Sequence, residues 1–461
     1  MWLRLCEERS LGRREFLRIG GLALGSISLA DWFALRAAAG QIREESRSVI
    51  FVFLHGGPTQ FETFDPKMTA PAAIRSATGE IATRVPGVTF GSTFPKLASL
   101  ADRLTIVRSF RTGDGNHDIK PIVGSKTLHA NLGSLYARVV GPHRSDNGMP
   151  RNVALFARAV SPNAQAPLTT FGRFDSSGNL GAAYAPFAPG AGGSLQADMQ
   201  LQLPKARLDD RRSLLAQLDR LRRAWDLSGA IDGLDRLQQQ AFATLVGGVA
   251  RAFDLADESP QTIARYDTAP LVNPAAISRK WKNYNYYVDN SQTLGKLLLL
   301  ARRLCEAGCG FVTVTTGFVW DMHSDENNAG VEEGMQYMGP PLDHALSALV
   351  SDIYERGLQD KILVVVTGEM GRTPKINNRG GRDHWGGLTP LLLAGGNLPA
   401  GTVIGQSSSD GGQPASEPRE IKHLMGTIFR HLLDVGQVRL RRDLPTELVN
   451  LITSCPPLLE T

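Results

Sequence analysis

Cysteine is scarce in this chain. Of 461 residues four are cysteine (Cys6, Cys305, Cys309 and Cys455), and no two stand in C-x-x-C spacing. A thiolate zinc module is thereby excluded. Cys305 and Cys309, four apart, are expected to be buried residues on one turn of a helix. A surplus of one charge is also missing: 50 basic residues face 45 acidic ones, and six Arg and four acids fall in the first 39 residues, which leaves the remainder at +3. No Lys/Arg cluster adjoins aromatic stacking platforms, so nucleic acid is excluded as a partner. The apolar run Ile19–Ala30 contains three glycines and is followed by Asp31. It falls short of the roughly 20 residues a membrane-spanning helix needs, and no stable membrane span is expected after processing.

With 42% hydrophobic and 21% charged residues, the chain can bury a large core. Its amino end reads SLGRREFLRIG over Ser10–Gly20, a paired Arg13 and Arg14 ahead of Phe16 and Leu17, with small residues Ala37, Ala38 and Ala39 further on. This resembles a twin-arginine export signal over residues 1–39. The expected partner is the twin-arginine export machinery, and the expected location is periplasmic or extracellular.

Apolar runs rich in β-branched residues predict buried strands at Ser48–Leu54, Leu104–Ser109, Asn152–Phe156, Gly310–Thr316, Ile362–Thr367 and Leu388–Ala394. Helical patterns lie between several of them, at 94–101, 131–140, 291–307, 341–356 and 417–433. Such alternation implies an α/β layered fold with a mostly parallel sheet. Residues 40–461 are expected to form one domain. A helical insertion over about 195–285 interrupts it, with Leu214, Leu218, Leu221 and Trp225 on one face.

Polar residues gather where strands end. His55 follows the first strand, Asp321 and His323 follow the Gly310–Thr316 strand, Glu369 follows Ile362–Thr367, and His384 precedes Leu388–Ala394. In open α/β sheets ligands lie beyond the carboxyl ends of strands. Imidazoles with carboxylates are ligands for a borderline divalent metal, zinc or manganese first and calcium as a third option. Arg372 and Arg382, in the loop of about 20 residues that also carries Glu369 and His384, are expected to fork onto the oxygens of an anionic ester substrate. A second cluster, RTGDGNHDIKPIVGSK from Arg111, places Asp114, His117, Asp118 and Lys120 at the expected opening of a helix, where an oxyanion could dock. Thr112 is the only hydroxyl between Ser109 and Ser125 and hence the candidate nucleophile, with His117 and Arg372 as further candidate catalytic residues.

The segments LHGGPTQFETFDPK, GNLGAAYAPF, LDDRRSLLAQLDRLRR, WDMHSDENN, GEMGRTP and GGRDHWGG closely resemble an exported bacterial family, domain-of-unknown-function family 1501. That family looks like a sulfatase-like branch of the alkaline phosphatase superfamily, and the resemblance implies that superfamily's fold, a three-layer α/β/α sandwich with a mostly parallel sheet. The resemblance implies an exported metal-dependent hydrolase of phosphate or sulfate esters. Alternatives are a non-catalytic metal- or anion-binding protein on the same scaffold, or a structural cell-envelope protein. Carried over residue by residue, the superfamily pattern matches Glu369, His384, Asp321 and His323 as metal ligands. It finds His55 where an Asp is usual, with Asp65 ten residues on as its substitute, and Met370 where a ligand is usual. The C/S-x-P-x-R segment that supplies the formylglycine of sulfatases does not occur.

Overall fold

The computed structural model describes residues 47–190 and 249–460. The expected export signal and most of the expected helical insertion lie outside the described residues. The described part of that insertion, from 249, is made of short pieces, Ala250–Phe253 and Pro260–Tyr266 with 3-10 turns between and after them.

Among the described residues seven strands build the central sheet: β1 (Ser48–Phe53), β2 (Leu104–Val107), β3 (Asn152–Leu155), β4 (Phe311–Val314), β5 (Ile362–Thr367), β6 (Leu391–Gly395) and β7 (Thr402–Ile404). Their spatial order is β7-β2-β6-β5-β1-β4-β3. β1 is an interior strand, with Phe51 facing Val365 of β5 on one side and Thr313 of β4 on the other, both in parallel register. β6 alone runs against its neighbours, antiparallel to both β5 and β2.

The continuous apolar runs make sense in this setting, because a strand covered on both faces has no polar side. Side chains alternate. Val49, Phe51 and Phe53 enter one core with helices α1 (Leu132–Val140) and α4 (Ile421–Leu432), while Ile50, Val52 and Leu54 enter the other with α2 (Tyr284–Glu306) and α3 (Val331–Glu355). Two layers of helix therefore enclose the sheet, as the alternation of elements predicts. Helix α1 begins at a true cap: the Asn131 side chain accepts from the Gly133 N–H at 2.8 Å. Cys305 and Cys309 are buried free thiols. No helix among the described residues is long and apolar enough to cross a membrane.

Two expectations are corrected. Helix α3 starts at Val331, ten residues before the predicted Pro341, and runs through both Pro340 and Pro341. Burial of Met335, Met338 and Leu342 on either side of the prolines holds together a helix that has lost two of its N–H donors. And no helix opens in the 111–126 segment, which runs as turns until a 3-10 turn at Ser125–Thr127, so no helix dipole awaits an oxyanion there.

Candidate metal centre

The parallel strands β1, β4 and β5 deliver their following loops to one edge, and antiparallel β6 starts at that same edge. His55, Asp321, Glu369 and His384 thus arrive from four strand ends. Close approach of the first two loops depends on Gly56: its φ is +117°, and a Cβ there would stand 2.5 Å from the Asp321 nitrogen. His384 is set by a short antiparallel ladder in which it pairs with Arg372, and Trp385 with Gly371.

At the centre three atoms form a triangle. His117 Nε2 lies 3.0 Å from His384 Nε2, His384 Nε2 lies 3.2 Å from Asp321 Oδ1, and His117 Nε2 lies 3.4 Å from the same oxygen. Metal–ligand bonds of about 2.0–2.3 Å place two donors of one ion at most about 4.6 Å apart, so one cation can touch all three. Asp321 also takes His323 Nε2 on its other oxygen at 3.0 Å, and His323 stands 3.8 Å from Asp325.

The second layer orients the first. Glu369 Oε1 accepts from the Gly56 N–H at 2.9 Å and meets His117 Nδ1 at 2.9 Å. With its Nδ1 proton held by a carboxylate, His117 turns the Nε2 lone pair toward the triangle. Two buried polar atoms beside this network have no partner, Glu369 Oε2 and His55 Nε2. The His55 ring is walled in by Phe53, Phe171, Phe174 and Phe318 at centroid distances of 5.0–6.1 Å. Unpartnered lone pairs in such a place are costly unless something positive meets them. The donors close enough for one cation are those of His117, Asp321 and His384, imidazoles and a carboxylate suited to a divalent ion.

The electrostatics agree. Burial pushes the His55 pKa down to about 4, against the pull of Glu369, so the imidazole is neutral at pH 7 and free to donate its lone pair. Burial also opposes ionisation of Asp321. Arg372, followed by hydrogen bonds with His117, His323 and His384, overrides it and holds the carboxyl far below the usual range. For His117 burial acts downward, but hydrogen bonds and charges from Asp321 and Glu369 prevail, and its pKa is raised.

Four sequence candidates stand differently from expectation. Arg372 is wholly buried and offers no fork to a substrate: its Nε donates to the Gly57 carbonyl at 2.8 Å, Nη1 to the Arg382 carbonyl at 3.2 Å, and Nη2 to Asp321 at 2.6 Å. Arg382 is equally buried and pairs with both oxygens of Glu62, at 3.0 and 3.1 Å. Asp65 is not brought to the triangle; its partners are Ser407, Lys67 and Arg108. Thr112 is buried, and its hydroxyl pairs with that of Thr389 at 3.1 Å. His117, in contrast, moves from the anion-binding segment into the middle of the donor set. Phe171 and Phe318, stacked at 4.7 Å and lying against His117, were not anticipated; isolated phenylalanines carry no signal that separates a site wall from core.

On an α/β fold with helices on both faces of its sheet, this edge brings together three side chains, His117, Asp321 and His384, of the kind and spacing that can hold a cation. The chain belongs to the family described as protein of unknown function (DUF1501), whose pattern matches residues 46–441. No curated protein matches it. Among solved structures it is similar to the PsFucS1 sulfatase from Pseudoalteromonas sp., at 12% identity over 87% of this chain and 69% of that one, with a TM-score of 0.36. It is also similar to the phosphonate monoester hydrolase SpPMH from Silicibacter pomeroyi, at 12% identity over 84% and 73% with a TM-score of 0.32. The lipoteichoic acid synthase LtaP from Listeria monocytogenes is similar at 7% identity over 80% and 73%, with a TM-score of 0.31.

Proposed function

We propose that the protein is a metal-dependent hydrolase of phosphate or sulfate esters, exported through the twin-arginine pathway. The observation that carries the metal is the triangle of His117, Asp321 and His384, whose donor atoms all lie within 4.8 Å of one another, beside the orphaned atoms of His55 and Glu369. The ester class follows from the resemblance of the strand-end motifs to the alkaline phosphatase superfamily, and export from the paired Arg13 and Arg14. A divalent cation, zinc or manganese, would supply Lewis acidity toward an ester oxygen or a water. In this reading His117 and His384 present lone pairs, Glu369 fixes the His117 tautomer, Arg372 keeps Asp321 ionised, and Phe171 and Phe318 exclude water from one side.

A second reading has its own support. The Thr112 hydroxyl is engaged by Thr389 and Arg372 is turned inward, so neither is presented to a substrate. That favours a protein that binds a cation or anion on this scaffold without turnover. One experiment separates the two. The chain is purified after export, its metal is counted by elemental analysis, and release from aryl phosphates, phosphodiesters and aryl sulfates is measured with and without chelator. Near-stoichiometric metal with chelator-sensitive turnover is the expected result. Stoichiometric metal without turnover selects the binding protein, and metal below about 0.1 equivalents removes the site altogether.

A further inference from the structure

His117 reaches the triangle from a segment with neither helix nor strand between Thr112 and Gly124. A segment of that kind needs something to hold it, and the holder is buried within it. Lys120 is only 7% exposed, although it belongs to a surface loop. Its ammonium donates to Asp114 Oδ1 at 2.8 Å, to the Asn116 carbonyl at 3.0 Å, and to the Asp118 carboxylate. Oxygens from positions 114, 116 and 118 thus converge on one positive charge, the alternate spacing by which calcium loops collect oxygens around an ion. These three positions bracket His117. The other side of the loop is fitted against the strand that carries His384: the Gly113 N–H donates to the Gly386 carbonyl at 3.1 Å, and a Cβ at Gly115 would stand 3.1 Å from His384 Cβ.

We propose that Lys120 is a positioning residue, a tethered cation at the heart of the Asp114–Asp118 loop that sets His117 over Asp321 and His384. The proposal rests on the metal reading above, and it adds that the chain carries its own cation for the loop. Both acids are half-exposed, with side chains at 53%, so without the ammonium they would turn to water and release the backbone between them.

The test uses the full chain and two readouts. In Lys120→Ala, amide hydrogen exchange over residues 112–118 should rise at least tenfold while β1 and β5 stay protected. Mn2+ affinity, followed by titration, should fall about 10–100-fold, the usual cost of removing an orienting partner. Methylammonium at tens of millimolar should restore both in part, which a merely structural loss would not allow. Unchanged exchange and affinity would overturn the proposal, as would loss of protection across the whole sheet. If Lys120→Ala fails to fold, Asp118→Asn removes one ammonium contact and should raise exchange in the same segment; no rise there overturns it. Should the wild-type protein take up no Mn2+, the metal reading fails, and the exchange result alone decides on Lys120.

Discussion

Arg372 and Arg382 stand ten residues apart in one glycine-rich loop, both fully buried, both paired with a buried acid, and they do different work. Arg382 closes its pair. Both oxygens of Glu62 are taken by its guanidinium, and the guanidinium also donates to the carbonyls of Ile74 and Arg75, with the Phe61 ring 4.1 Å away. Arg372 leaves its pair open: the same Asp321 oxygen that receives its Nη2 also faces His117 and His384. A sealed pair shapes a loop, whereas an open one supplies a charge that a ligand can share. Two arginines that look alike in the chain are thus told apart by what else their acids touch.

The strongest test of this contrast removes each guanidinium. Arg382→Ala strands Glu62, and urea unfolding should show a loss of about 3–5 kcal/mol relative to the parent that persists when both are measured with Mn2+, because the cation stabilises the two alike. Arg372→Ala strands Asp321 and should cost a similar amount in metal-free protein, but with Mn2+ its deficit relative to the parent should narrow, because the cation takes over the charge that faces Asp321. Equal behaviour of the two variants toward Mn2+ would abolish the distinction between them.

Acidity sharpens the open side. Because the pKa of His117 is raised above 6.5, its proton stabilises the metal-free fold fully below pH 6.5, and that contribution is lost as pH rises through the raised value. A cation must displace the same proton. Mn2+ affinity should therefore climb with pH up to the raised pKa and level off above it, with proton release seen by calorimetry in two buffers of different ionisation enthalpy. His117→Gln should flatten that slope.

The smallest expected effect concerns Thr112. Thr112→Val removes one buried hydrogen bond to Thr389 and should cost about 1 kcal/mol by thermal unfolding, with turnover of any accepted ester within about twofold of the parent. A loss of several orders of magnitude in turnover would restore Thr112 as the nucleophile.

Much of the scaffold could be read in the chain because fully covered strands leave unbroken apolar runs, and β5 matches its predicted bounds residue for residue. The direction of β6 could not be read: Leu391–Leu393 has the same composition whichever way it runs. Thr402–Ile404 escaped notice because three residues make no pattern. Of the site, His55, Asp321, Glu369 and His384 were visible as polar residues at strand ends. The inward turn of Arg372 and Arg382 was not, since an arginine facing solvent and one facing a buried acid are written with the same letter. The polar pattern around His117 is that of a helix start, but no helix forms there; what places it is the contact of Lys120 with three neighbours and of Glu369 from another strand.

The reversed strand β6 has one more consequence. Because it lies beside β5 and runs against it, the loop carrying Glu369, Arg372, Arg382 and His384 leaves the sheet and re-enters it at adjacent positions on one edge. Such a loop behaves as a cassette. Its partly exposed stretch, 375–380, can change in length without re-registering a strand, while the buried arginines on either side hold the frame.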